Sequence, residues 1–215
     1  MERVEFTATD GAKIVGDYYD ASGDRFVILL HMMPADRRSW KVVADDLQAR
    51  GISSLAIDLR GHGESTGGPE GYKAFTDAEQ QKSALDVRAA WQWLETRGAQ
   101  ATHTMLAGAS IGANLALRHL SEHSTMVGAV LLSPGLDYHG VTTEDAVQNL
   151  AVHQHVLIAV SEEDEYAFLS SKKLHQLNGS IVELVEREGL GHGTHMLEKS
   201  MELFQEVTDW MNKYL

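Results

Sequence analysis

The chain contains no cysteine. It can form no disulfide and offers no thiolate to a metal, and its compartment cannot be read from thiol usage. Cations are scarce: 18 Lys and Arg stand against 31 Asp and Glu, a formal net charge of −13. That charge opposes binding to nucleic acid or to an anionic membrane, so neither is expected as a partner. No apolar run approaches the ~20 residues of a membrane-spanning helix. The opening residues, Met1-Glu2-Arg3-Val4-Glu5, lack the charged-then-apolar layout of a secretion signal, and a cytoplasmic protein is the expectation. Repeats, low-complexity tracts and dividing linkers are all missing. A length of 215 residues with 43% hydrophobic content suits one domain, 1–215, around a large core.

What is present is alternation. Residues 4–9 and 12–19 read as two strands, with Asp10-Gly11 between them as a two-residue hairpin turn. The apolar runs 26–30, 53–58, 103–107, 127–133, 156–160 and 181–185 are short enough for strands buried on both faces. Helical patterns fall between them, at 40–50, 77–97, 111–123, 142–150 and 167–177, with a last one at 200–215. This order predicts an α/β fold: a mostly parallel sheet of about eight strands, opened by an antiparallel hairpin and covered by helices on both faces. In such sheets functional groups gather where the strands end.

The strand ends carry the chemistry. The run 103–107 leads into Gly108-Ala109-Ser110-Ile111-Gly112 and then a helix, which is the context of a nucleophile elbow. A serine hydroxyl needs a base to take its proton, and the base needs an acid to fix its tautomer. After the run 156–160 stand Glu162, Glu163, Asp164 and Glu165, and after the run 127–133 stands Asp137. After the last strand stand His192, between two glycines, and His195. Neither histidine has the extra ligands a zinc site requires. The glycine-rich loop 60–71 lacks the Gly-Lys-Ser/Thr of a P-loop, and its glycines predict mobility.

Four motifs in this order resemble the α/β-hydrolase fold family: His31 with its following loop, Asp58-x-Arg60-Gly61-His62-Gly63-x-Ser65, the elbow at Ser110, and Gly191-His192-Gly193. They are most similar to its single-domain, capless serine esterase and serine-aminopeptidase-like branch. The resemblance spans essentially the whole chain. It implies Ser110 as nucleophile, His192 as base and Asp164 as orienting acid, with Asp137 the second candidate acid. The neighbouring glutamates then form a solvated acidic turn. It also implies an oxyanion hole from the backbone N–H groups of Ile111 and Met33. Here the chain departs from the family, carrying Met32 where glycine is usual. His31 is expected to be structural, and Asp58, Arg60 and His62 to shape a loop beside the pocket. Only residues 134–155 separate two strands where many relatives insert a cap, so an open pocket for small, short-acyl esters is expected, without cofactor or metal. The same triad would also serve a thioesterase, acyltransferase or perhydrolase. A catalytically silent binding protein is the reading that Met32 favours.

Overall fold

The computed structural model describes residues 1–215. Strands β1 (Glu2–Thr7) and β2 (Lys13–Tyr19) pair antiparallel. Their turn is longer than expected. Ala8 N–H donates to Ala12 O at 2.8 Å and Gly11 N–H to Ala8 O at 2.9 Å, leaving three residues at the tip. Gly11, at φ +89°, supplies the left-handed residue that closes such a loop, while the Asp10 carboxylate turns away to pair with Arg60.

Next come β3 (Phe26–Leu30), α1 (Lys41–Ala49), β4 (Ser53–Asp58), α2 (Asp77–Gln81) and α3 (Ser83–Thr96). The elbow joins β5 (Thr104–Ala109) to α4 (Ile111–Glu122). After β6 (Gly128–Leu132), a small hairpin of β7 (Asp137–Tyr138) and β8 (Val141–Thr142) precedes α5 (Glu144–Gln148). The chain closes with β9 (His155–Ser161), α6 (Glu165–Asn178), β10 (Val182–Arg187), α7 (His195–Lys199) and α8 (Met201–Tyr214).

Eight strands form one sheet in the order β1-β2-β4-β3-β5-β6-β9-β10, parallel from β4 to β10. Alternate side chains of each inner strand feed separate apolar layers. In β3, Phe26, Ile28 and Leu30 join the layer under α3, α4, α5 and α6, while Val27 and Leu29 join the layer under α1 and α8. Complete burial of such a side chain contributes roughly 1.5–3 kcal/mol. A one-residue slip would exchange the two sets, so the register is fixed.

Two further expectations change. The helix expected at 77–97 is two helices: Thr76 caps α2 in a capping box with Glu79, and the chain turns at Lys82 before α3. Gln80 is buried and donates to Tyr72 O at 3.2 Å, so α2 faces the glycine-rich loop rather than the layer that α3 covers. That loop is knitted by backbone bonds, from Gly61 N–H to Thr66 O (2.7 Å) and from Tyr72 N–H to Gly61 O (3.1 Å). The helix expected at 142–150 shortens to α5, because Val141 and Thr142 pair with Tyr138 and Asp137 instead. Between β6 and β9 there is only this hairpin and α5, and no large cap.

Candidate active site

Ser110 sits at φ +54°, ψ −123°, between the last residue of β5 and the first of α4. A non-glycine residue held there costs about 1–3 kcal/mol, which the surroundings must enforce. They do. A Cβ on Gly108 would lie 2.1 Å from Gly112 O, and one on Gly112 would lie 2.4 Å from Leu30 O. Strand β5, helix α4 and the end of β3 thus touch through bare backbone, and the turn between them has no freedom to relax. Ser110 N–H donates to Leu132 O of β6 at 2.8 Å, which anchors the turn to the next strand.

The other candidates arrive from neighbouring strand ends. Asp164, in the turn after β9, and His192, in the loop after β10, are joined through Oδ2 and Nδ1 at 2.5 Å. Ser110 makes no hydrogen bond to His192; its hydroxyl neighbours the Tyr138 phenol. The histidine loop nonetheless reaches the elbow, since a Cβ on Gly193 would lie 3.4 Å from Ala109 Cβ. The backbone N–H groups of Met33 and Ile111 have no protein acceptor. At Ile111 this follows from its place as the first residue of α4.

The rival residues are occupied elsewhere. Asp137 Oδ1 accepts Gly140 N–H at 2.6 Å within the small hairpin. His195 lies in α7 with Nδ1 3.1 Å from Glu198. Among the glutamates beside Asp164, Glu163 is not a freely solvated side chain, because it accepts hydrogen bonds from Ser161, Gly189 and Gly191.

The residues before and after β4 build the frame. His31 is buried, with Nδ1 2.9 Å from Met32 O and Nε2 accepting Leu59 N–H at 3.0 Å, so both ring nitrogens are spent on backbone. Burial pushes its pKa down to about 3, which keeps the ring neutral. Buried Arg37 ties the loop after β3 to Asp58, which also accepts the Arg37 and Glu64 N–H groups at 2.9 and 2.8 Å. Arg37 Nε is also 3.0 Å from Asp17. Arg60 is held by Asp86 and Asp10, and His62 stacks on Tyr72 with centroids 4.4 Å apart.

Two residues escaped the sequence reading. Tyr138 reaches back from the hairpin with its hydroxyl 3.4 Å from Ser133 O. Burial, then the Asp164 charge, pushes its phenol well above the usual tyrosine range. Ser133 stands at φ +52° just past β6, and its Oγ accepts Gly193 N–H at 3.0 Å. Nothing in local sequence marks Tyr138. The run Ser133-Pro134-Gly135 at a strand end was the available signal.

Sequence and structure comparisons agree with this architecture. The chain is 32% identical over 104 residues to the AB hydrolase superfamily protein YisY of Bacillus subtilis, a match covering 48% of this chain and 35% of that protein. It is 26% identical over 183 residues to the multifunctional-autoprocessing repeats-in-toxin of Vibrio cholerae, covering 82% of this chain and 4% of the toxin. The chain therefore spans only a minor part of the length of either curated relative. An esterase structure from Pyrococcus furiosus superposes with a TM-score of 0.83 at 20% identity, covering 99% of this chain and 90% of that one. The family model described as "Serine aminopeptidase, S33" matches residues 22–207. With that match over most of its length, the chain belongs to this family of α/β-hydrolases.

Proposed function

We propose that the protein is a serine hydrolase that cleaves small carboxylic esters through an acyl-enzyme on Ser110. The observation that carries this reading is the 2.5 Å contact between His192 Nδ1 and Asp164, on a loop that rests against the strained Ser110 turn. With Nδ1–H donated to Asp164, His192 presents an unprotonated Nε2, the tautomer a general base requires. His192 takes the Ser110 proton as Oγ attacks the ester carbonyl carbon. The negative charge that develops on the carbonyl oxygen is met by the N–H groups of Met33 and Ile111. Each such donor is worth about 3–4 kcal/mol of transition-state stabilisation. The C–O bond to the alcohol then breaks, and the alcohol leaves with the proton from His192. Water, deprotonated by the same ring, releases the acid and restores Ser110.

The short insertion between β6 and β9 supports small, short-acyl esters as substrates. Neither of the two surface cavities is lined by Ser110, Asp164 or His192.

A fluorophosphonate is expected to label Ser110 and no other residue. Ser110→Ala is expected to lower nitrophenyl acetate hydrolysis by about 10⁴-fold or more at an unchanged melting temperature. A series of nitrophenyl esters is expected to peak at or below about C8. Labelling elsewhere, or full activity in Ser110→Ala, refutes the acyl-enzyme.

A further inference from the structure

The loop that carries His192 has almost nothing of its own to hold it. Gly189, Gly191 and Gly193 all take positive φ, at +75°, +85° and +58°, and no regular element runs through them. Its N–H groups are bonded instead to side chains from two other strand ends. Glu163 Oε2 accepts Gly189 N–H at 2.9 Å, and Oε1 accepts Gly191 N–H at 2.5 Å. Ser161 Oγ donates to Glu163 at 2.7 Å and accepts Leu190 N–H at 3.1 Å. On the far side, Gly193 N–H is held by Ser133.

Glu163 is adjacent to Asp164. One turn after β9 thus grips the histidine loop twice, by its backbone through Glu163 and by its ring through Asp164. The Glu163 side chain is exposed, and three hydrogen bonds converge on its carboxylate.

We propose that Glu163 is a positioning residue for His192, its carboxylate fixing the 189–191 backbone so that the imidazole stays on Asp164 and turned toward Ser110. The proposal rests on the triad reading above. The Ser161 hydrogen bond first, then backbone N–H groups including those of Gly191 and Gly189, hold the Glu163 carboxyl down at about 2, so the clamp is anionic throughout any ordinary assay range. Lys199 Nζ would lie 3.2 Å from a Cβ on Gly191.

The test compares Glu163→Ala, Glu163→Gln and Glu162→Ala in the full chain. The readouts are kcat and KM on nitrophenyl acetate, the low-field imidazole proton of the His192–Asp164 pair by NMR, and circular dichroism. A displacement of about 1 Å in a catalytic group can lower a rate by about 10²-fold. Glu163→Ala is expected to lower kcat by about that factor, with KM unchanged, and to broaden or remove the low-field proton. Glu163→Gln keeps the shape and one acceptor oxygen, and is expected to lose less. Glu162→Ala removes the same charge one residue away and is expected to keep wild-type kcat and the wild-type proton signal. Wild-type kcat and resonance in both Glu163 variants would overturn the proposal, as would loss of the native circular dichroism in both. The NMR signal is read on resting protein. A wild-type chain that no fluorophosphonate labels at Ser110 would sink the acyl-enzyme while the hold of Glu163 on His192 remained measurable.

Discussion

At Met32 a long side chain fills the space beneath the histidine loop. It is buried in the apolar layer with Met196, Leu197 and Phe204, and its Sδ would lie 2.5 Å from a Cβ on Gly193. Gly193 is therefore confined twice, by φ +58° and by this sulfur. The Met32 side chain is thus packed against the loop that carries His192. Gly193→Ala is expected to combine a left-handed penalty of about 1–2 kcal/mol with an overpacking penalty of about 1–3 kcal/mol. Met32→Ala alone is expected to cost about 2–5 kcal/mol through the cavity it leaves. In the double variant the new methyl enters the vacated space, so the combined cost measured by denaturant unfolding should fall clearly short of the sum. Simple additivity would show that the two residues are not coupled.

The β7–β8 hairpin lies beside Ser110 through Tyr138, and two of its anchors are of different kinds. Asn114, buried in α4 four residues past Ser110, donates to Val141 O at 2.7 Å and accepts Gly135 N–H at 3.0 Å. Tyr166, exposed on α6, bonds both backbone groups of Asp137, at 2.9 and 2.8 Å. Removing a buried partner leaves its opposite numbers unsatisfied, at about 1–3 kcal/mol each, whereas an exposed one is replaced by water. Asn114→Ala is thus expected to lower the melting temperature by about 4–24 °C, and Tyr166→Phe by no more than about 2–4 °C. Equal shifts would refute the distinction. Elements of this size also mark where sequence reading stops. The inner strands were readable because burial on both faces makes them continuous apolar runs, as in Phe26–Leu30. The elbow was readable because bare backbone contacts demand glycine at 108 and 112. Two-residue strands such as Asp137–Tyr138 carry no period to detect. Gln80 bonds to Tyr72 beyond its own helix, and Glu163 to a loop 26 and 28 residues further on. Such partners are fixed only when the sheet brings strand ends together.

Taken as a whole, the molecule buries neutral histidine on the helix-rich side of its sheet and beside the site, and this sets its response to acid. His119 in α4 is buried with Nε2 unpartnered, stacked on His123 at 4.0 Å. Burial first, then His123 and Arg88, pushes its pKa down to about 3, close to the value for His31. An unfolded chain takes up these two protons below about pH 6.5, whereas the folded chain resists until about pH 3. The stabilisation is therefore complete above pH 6.5 and is lost as pH falls, at up to about 1.4 kcal/mol per pH unit for each histidine. Buried Asp86 acts in the opposite sense, because burial pushes its pKa up to about 6 and the folded chain takes up that proton before the unfolded one does; the other carboxylates respond later. Glu64, held down to about 2 by its bonds to Arg37 and then Arg3, contributes above its unfolded value near 4.5 and loses that contribution between 4.5 and 2. Mild acid also reduces the net charge of −13, which by itself relieves repulsion and favours the compact state. A fall in melting temperature between pH 6.5 and 4.5 would thus run against the general charge effect and identify the buried rings. Calorimetry across that interval is expected to show the fall, and His119→Gln, which does not titrate, to reduce its slope. A flat profile in the wild type, or the same slope in His119→Gln, would mean that the buried rings do not govern acid stability.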